Sequence, residues 1–224
     1  EEAKELKGVF DRGQPLIQIG SVVATSMALS LVPLITKEKM MKRDKALSSK
    51  IALALRVSGT IGIGATVGLM AIVEPTNGML FENTKGSNIL FILSIAIALS
   101  SVIITFISVL QGLGYMLFPA FIVLIGFILK YFLNTLFVPL YGTIGAAVAT
   151  NGSLAFILCL LLLKYYRVIG RGIFTKLFFS KVVLAALAMV VVLHGYLHLT
   201  SMIASFVHGR ILFSVQALGG AVIG

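Results

Sequence analysis

Residues 10–36 read FDRGQPLIQIGSVVATSMALSLVPLIT, and from Pro15 to Thr36 no Asp, Glu, Lys or Arg interrupts the apolar run. A transmembrane helix needs about 20 mostly apolar residues, so this run is long enough to be one. Comparable runs follow at 51–73, 88–111, 118–140, 144–163 and 177–199, and a further one starts near Ile211 and stops with the chain. The runs are continuous rather than alternating and about twice as long as a barrel strand, so the spans are predicted to be helices. The expected fold class is an all-α membrane protein, a bundle of six full transmembrane helices plus a truncated seventh.

Composition points the same way. The 224 residues are 58% hydrophobic and 12% charged, with a mean hydropathy of +1.06. Soluble domains carry about a quarter charged residues, and a globule of this size could not hide so much apolar surface. The net charge of +10 does not imply nucleic acid as a partner, because no soluble basic domain exists to bind it. Membrane lipids are the expected surroundings. Cys159 sits alone in an apolar run; it forms no intrachain disulfide and is expected to pack as a small apolar residue. No cofactor or catalytic constellation is expected. No Walker motif is present; His194 and His198 are spaced i,i+4 but have no third ligand beside them, and His208 lies beyond. These histidines read as interfacial. Asn151-Gly-Ser153 matches a glycosylation acceptor but falls within a span.

The basic residues cluster in short loops, and their asymmetry sets orientation. Segments 37–50 and 164–176 carry six and four Lys or Arg, while the opposite side has Lys4, Lys7, Arg12, Lys85 and Arg210. Six acids, Glu1, Glu2, Glu5, Asp11, Glu74 and Glu82, fall on that poorer side. The KEKMMKRDKALSSK loop is therefore predicted to face the cytoplasm. In a Cys159→Ser background, a cysteine at Lys42 should resist a membrane-impermeant thiol reagent in intact cells, and one at Asn83 should label. Labelling at Lys42 overturns the orientation.

Charges inside the spans need a reason, since one at mid-bilayer costs at least ~2.5–3.5 kcal/mol. Arg56 and Lys181 lie near the cytoplasmic edge and can snorkel to the headgroups. Lys130 lies twelve residues past the start of its span, roughly 18 Å deep. No Asp or Glu follows Glu82. Lys130 pairs with an acid on a missing part of the same protein, is neutral, or lines a wet cavity and meets an anionic substrate. Asn134 lies one turn further on its face. In the first span Gln14, Gln18, Ser21 and Thr25 share one helical face, with Arg12 preceding them. That stripe fits a cavity wall and fits helix–helix hydrogen bonding equally. A weaker stripe in the third span, Ser94, Ser101, Thr105 and Ser108, is expected to serve packing, as are the small residues of GTIGIGATVG and GTIGAAVAT.

Three stretches carry a family resemblance: residues 10–36, SVLQGLGYMLFPA at 108–120 and VPLYGTIGAAVATNGSLAFI at 138–157. Together they resemble the second lobe of MurJ-like and stage V sporulation protein B-like flippases. These are members of the multidrug/oligosaccharidyl-lipid/polysaccharide exporter superfamily. The Asp-Arg-Gly-Gln-Pro stretch is similar to the sporulation-protein-like branch of Gram-positive bacteria. The resemblance implies two six-helix lobes around a central cavity, often with two extra C-terminal helices. Residues 1–163 would be most of the second lobe and 164–224 a cytoplasmic loop with the extra helices. The first lobe and the first helix of the second would lie on a missing N-terminal part of the same chain, in keeping with ends that read as cut.

The implied activity is movement of a lipid-linked oligosaccharide, an undecaprenyl-diphosphate-linked precursor, across the bacterial cytoplasmic membrane by alternating access. Arg12 matches a family arginine thought to hold the diphosphate; Lys130 is nominated from its depth alone. The expected substrate or cavity residues are Arg12, Gln14, Gln18, Ser21, Thr25, Lys130 and Asn134. The alternatives are a drug or cation antiporter, an exporter of a different sugar, and a non-transporting scaffold.

Overall fold

The computed structural model describes residues 2–81, 86–169, 176–203 and 210–223. All elements among them are helices: α1 (Glu2–Met40), α2 (Asp44–Ala71), α3 (Val73–Phe81), α4 (Ser87–Gly112), α5 (Leu117–Ile169), α6 (Lys176–Ile203) and α7 (Arg210–Ile223). The protein is an all-α membrane protein. The helices α2, α4 and α5 are each long and apolar enough to cross a bilayer. In α1 two straight pieces, Gly13–Val22 and Thr25–Met40, pass the same test together across a bend of 40°. In α6 and α7 the apolar stretches are shorter, Leu184–Thr200 and Phe213–Val222.

The α1 bend has a local cause. Ser21, Thr25 and Ser26 donate their hydroxyls to the carbonyls of Gln18, Ser21 and Val22 at 2.9–3.0 Å. Such back-bonding loosens the helical ladder and bends it. Upstream, α1 continues as helix through the polar segment that precedes the first predicted span. The connection between α2 and α4 also holds a helix that hydropathy did not predict, α3, which is tied to α4 by Asn77 Nδ2 donating to Ser87 Oγ at 3.2 Å.

At 53 residues, α5 would extend about 80 Å if straight, far beyond a hydrocarbon core of about 30 Å. It breaks at Gly142, with φ 57° and ψ −135°, a conformation that only glycine adopts cheaply. The contacts on either side show the reversal. Gly126 lies against Ile157, Gly152 against Leu133, and Gly145 against the Phe137 carbonyl. The arms 117–141 and 143–169 are therefore an antiparallel hairpin, and they fall on the two separate runs predicted there.

The other helices pack through small residues, as lipid requires in the absence of a hydrophobic drive between helices. Gly13 lies against Leu90 and Leu93, Gly20 against Ile97, and Gly112 against Ile35, so α1 and α4 run parallel. Gly62 lies against Ser101 and Ala98 of antiparallel α4. The third-span hydroxyls Ser94, Ser101, Thr105 and Ser108 are all buried. The core is the cluster of Ile35, Ile51, Leu55, Phe106, Leu110, Leu161 and Tyr165 in the half of the bundle that carries the basic loops. There Thr36 and Lys39 donate to the carbonyls of Gly112 and Leu113, and Lys50 forms an ion pair with Glu38. The Lys50 hydrogen bond holds the Glu38 carboxyl below its usual range.

Cys159 departs from expectation. It is exposed on α5, because the 143–169 arm turns its Ile157 and Leu161 side inward and leaves the position between them outside.

Candidate functional site

The polar stripe of α1 lies beside the face that packs on α4. Phe10 and Ile17, on its flank, pack against a cluster of Ile89, Leu93 and Ala147. Gln14 is half-buried, while Gln18 and Thr25 are exposed. The Ser21 and Thr25 hydroxyls are satisfied within α1, so the unspent polar capacity of the stripe is in its glutamines. The Arg12 backbone is in α1, and its side chain lies outside the described residues, as does that of Lys181. Arg56 is half-buried in α2. His208 also lies outside the described residues.

Lys130 is half-buried in the 117–141 arm, thirteen residues from one end and eleven from the other, so about 17–20 Å from either end of that arm. Among the described residues it has no carboxylate partner; the one ion pair there is Lys50–Glu38. Asn134, one turn away, is half-buried, and its Oδ1 is shut away from solvent with no hydrogen-bond partner. A buried amide oxygen left unpaired costs roughly 1–3 kcal/mol.

A continuous line of contacts relates these two regions. Gly13 of α1 touches Leu93; the neighbouring Ile92 carbonyl accepts a hydrogen bond from Asn151 Nδ2 at 2.6 Å; the next residue, Gly152, touches Leu133. Arg12 and Gln14 flank the first contact and Asn134 the last. The fold thus links the head of the α1 stripe to the neighbourhood of Asn134 through a chain of contacts, with Lys130 one turn further along the arm. It does not bring them into contact, since α4 and the second arm of α5 intervene.

Sequence reading missed two groups in this polar layer. Thr66 Oγ1 donates to the Ser94 carbonyl at 3.1 Å and accepts from Ala98 N–H at 3.0 Å, inserting itself into the α4 ladder. Its signal was a hydroxyl embedded in the small-residue run of α2. Asn151 was noted only as an acceptor sequon; in the fold it is an interhelical tie, with Oδ1 buried and unpaired. At the end of the bundle away from the basic loops His194, His198 and Glu74 line one cleft of about 760 Å³, but no three metal-binding side chains converge among the described residues.

Comparison with known proteins adds the following. No family model matches the chain. It is 44% identical over 155 residues to the protein named "Uncharacterized membrane protein YabM" of Bacillus subtilis (strain 168), an alignment covering 69% of this chain and 29% of that protein. It shares its fold with the lipid II flippase MurJ in an inward closed conformation, at a TM-score of 0.66 and 19% identity, over 94% of this chain and 45% of that one. The chain spans less than a third of its curated relative and less than half of MurJ. The likeness at this identity is one of fold, and at that level the flippase resemblance read from the sequence holds.

Proposed function

We propose that this chain, a membrane protein with the MurJ fold, is one lobe with its trailing helices in a flippase for diphosphate-linked lipid saccharides, working with a partner lobe elsewhere in the same protein. The observation that carries this reading is Lys130. A half-buried mid-membrane cation with no carboxylate partner among the described residues is what a transported anion needs. A diphosphate crossing hydrocarbon exchanges hydration for fixed donors, and Lys, Arg and amide N–H groups are the donors that suit it. The lipid tail stays in the bilayer throughout. Rocking of two lobes about a midplane site gives access to each leaflet in turn.

Depleting the full-length protein should leave the lipid-linked saccharide on the cytoplasmic leaflet. An externally added saccharide-cleaving enzyme, applied to spheroplasts, reports the outer pool. A pool unchanged by depletion rules out the flippase reading and favours a scaffold.

The stripe has its own test. Cysteines placed one at a time along 14–25 in the full-length protein should react with a water-soluble thiol reagent in a helical rhythm, high at Gln18 and Thr25 and low at Ile19. A flat profile means the stripe is a packing surface.

A further inference from the structure

We infer that the basic-loop end of the α5 hairpin holds an anionic phospholipid of the cytoplasmic leaflet in a built groove, independently of any transported substrate. The groove, about 370 Å³, lies between the two arms. Its floor is Ile122 and Ile125 from one arm and Leu160 and Leu163 from the other. Lys164 and Arg167 stand at its rim, one turn apart on the second arm. An apolar trough ending in two cations matches an acyl chain joined to a phosphate.

Two further observations make this more than snorkelling. Lys164 Nζ lies 4.8 Å from the Tyr115 ring centre and 4.7 Å from that of Phe118. The aromatic faces hold the ammonium over the trough by cation–π attraction, whereas a snorkelling lysine is free to follow the headgroups. Among the described residues neither cation is ion-paired. Tyr115 and Val168 also share a cleft with Lys39, Asp44 and Lys45, so the α1–α2 connection stands at this same end, with Asp44 offsetting part of its charge. Basic pockets between helices on the cytoplasmic side bind anionic headgroups, at about a fivefold gain per nearby cation. The groove sits at the interface rather than at the depth of Lys130, which suits a resident lipid and not a passenger.

The test uses detergent-purified full-length protein titrated with phosphatidylglycerol or phosphatidylcholine, with bound lipid counted by native mass spectrometry. Wild type should retain phosphatidylglycerol over phosphatidylcholine. Lys164→Gln with Arg167→Gln should lower that preference roughly 25-fold. Lys42→Asn with Arg43→Gln, an equal loss of charge at the same end, should leave most of it. The inference is overturned if both double variants lose the preference equally, if wild type shows none, or if undecaprenyl diphosphate displaces phosphatidylglycerol at equal concentration. Melting temperatures of the variants separate lost binding from lost folding.

Discussion

Full-length protein carrying Lys130→Ala or Arg12→Ala is expected to fail in rescuing a strain depleted of its flippase, at membrane levels matched to wild type. If each cation contacts a desolvated phosphate, its removal costs roughly 1.5–3 kcal/mol, the worth of a charged hydrogen bond. That is about 10- to 150-fold in the occupancy of the transported state. Arg12→Lys should rescue poorly, because an ammonium cannot form the bidentate pair that a guanidinium forms with phosphate. Lys130→Ala carries a second signature. A mid-membrane cation is a burden on folding, so its removal should leave the melting temperature unchanged or raise it while activity falls. Normal growth of both alanine variants would assign the substrate site to the other lobe. A fall in melting temperature parallel to the fall in rescue would make Lys130 a structural residue.

The largest stability effect is expected at the α5 turn. A Cβ on Gly145 would lie 2.2 Å from the Phe137 carbonyl oxygen and 2.6 Å from its carbon. Those atoms are backbone, so no rotamer change relieves the clash, and the arms must separate. Overpacking costs 1–3 kcal/mol in ordinary cores; with backbone on the far side, Gly145→Ala should cost about 3 kcal/mol. On a domain of this size that lowers the melting temperature by roughly 6–12 °C. Gly142→Ala should lose about 1–3 kcal/mol through strain at its positive φ. Gly152→Ala is the internal control, since its Cβ would meet only Leu133 Cδ1 at 3.4 Å. Equal melting of Gly145→Ala and Gly152→Ala in detergent would contradict the tight hairpin.

Some of the site could be read without coordinates and some could not. Lys130 was visible as a charge in the middle of an apolar run, and the α1 stripe as a helical period of polar residues. Whether Ser21 and Thr25 were free to meet a ligand was not visible, because their hydroxyls turn back to carbonyls one turn earlier. The short helix α3 escaped because its Glu-Pro-Thr-Asn start reads as loop; its helical form rests on packing, including Gly78 against Phe213 of α7.

What the amino-acid order determined by itself is the material of the fold: helices, their approximate limits and a basic end. Lipid leaves backbone groups no partner but their own segment, so a continuous apolar run has one outcome whatever its neighbours are. Which helices become neighbours, and at what register, belonged to the tertiary structure. Leu93 meets Gly13 and Asn151 meets the Ile92 carbonyl across dozens of intervening residues, and Leu133 meets Gly152 around the Gly142 turn. The fit of small residues against bulky ones sets that register, and periodicity within one helix carries no record of it. Only there does a chain of contacts link the glutamine stripe to the arm that carries Asn134 and Lys130.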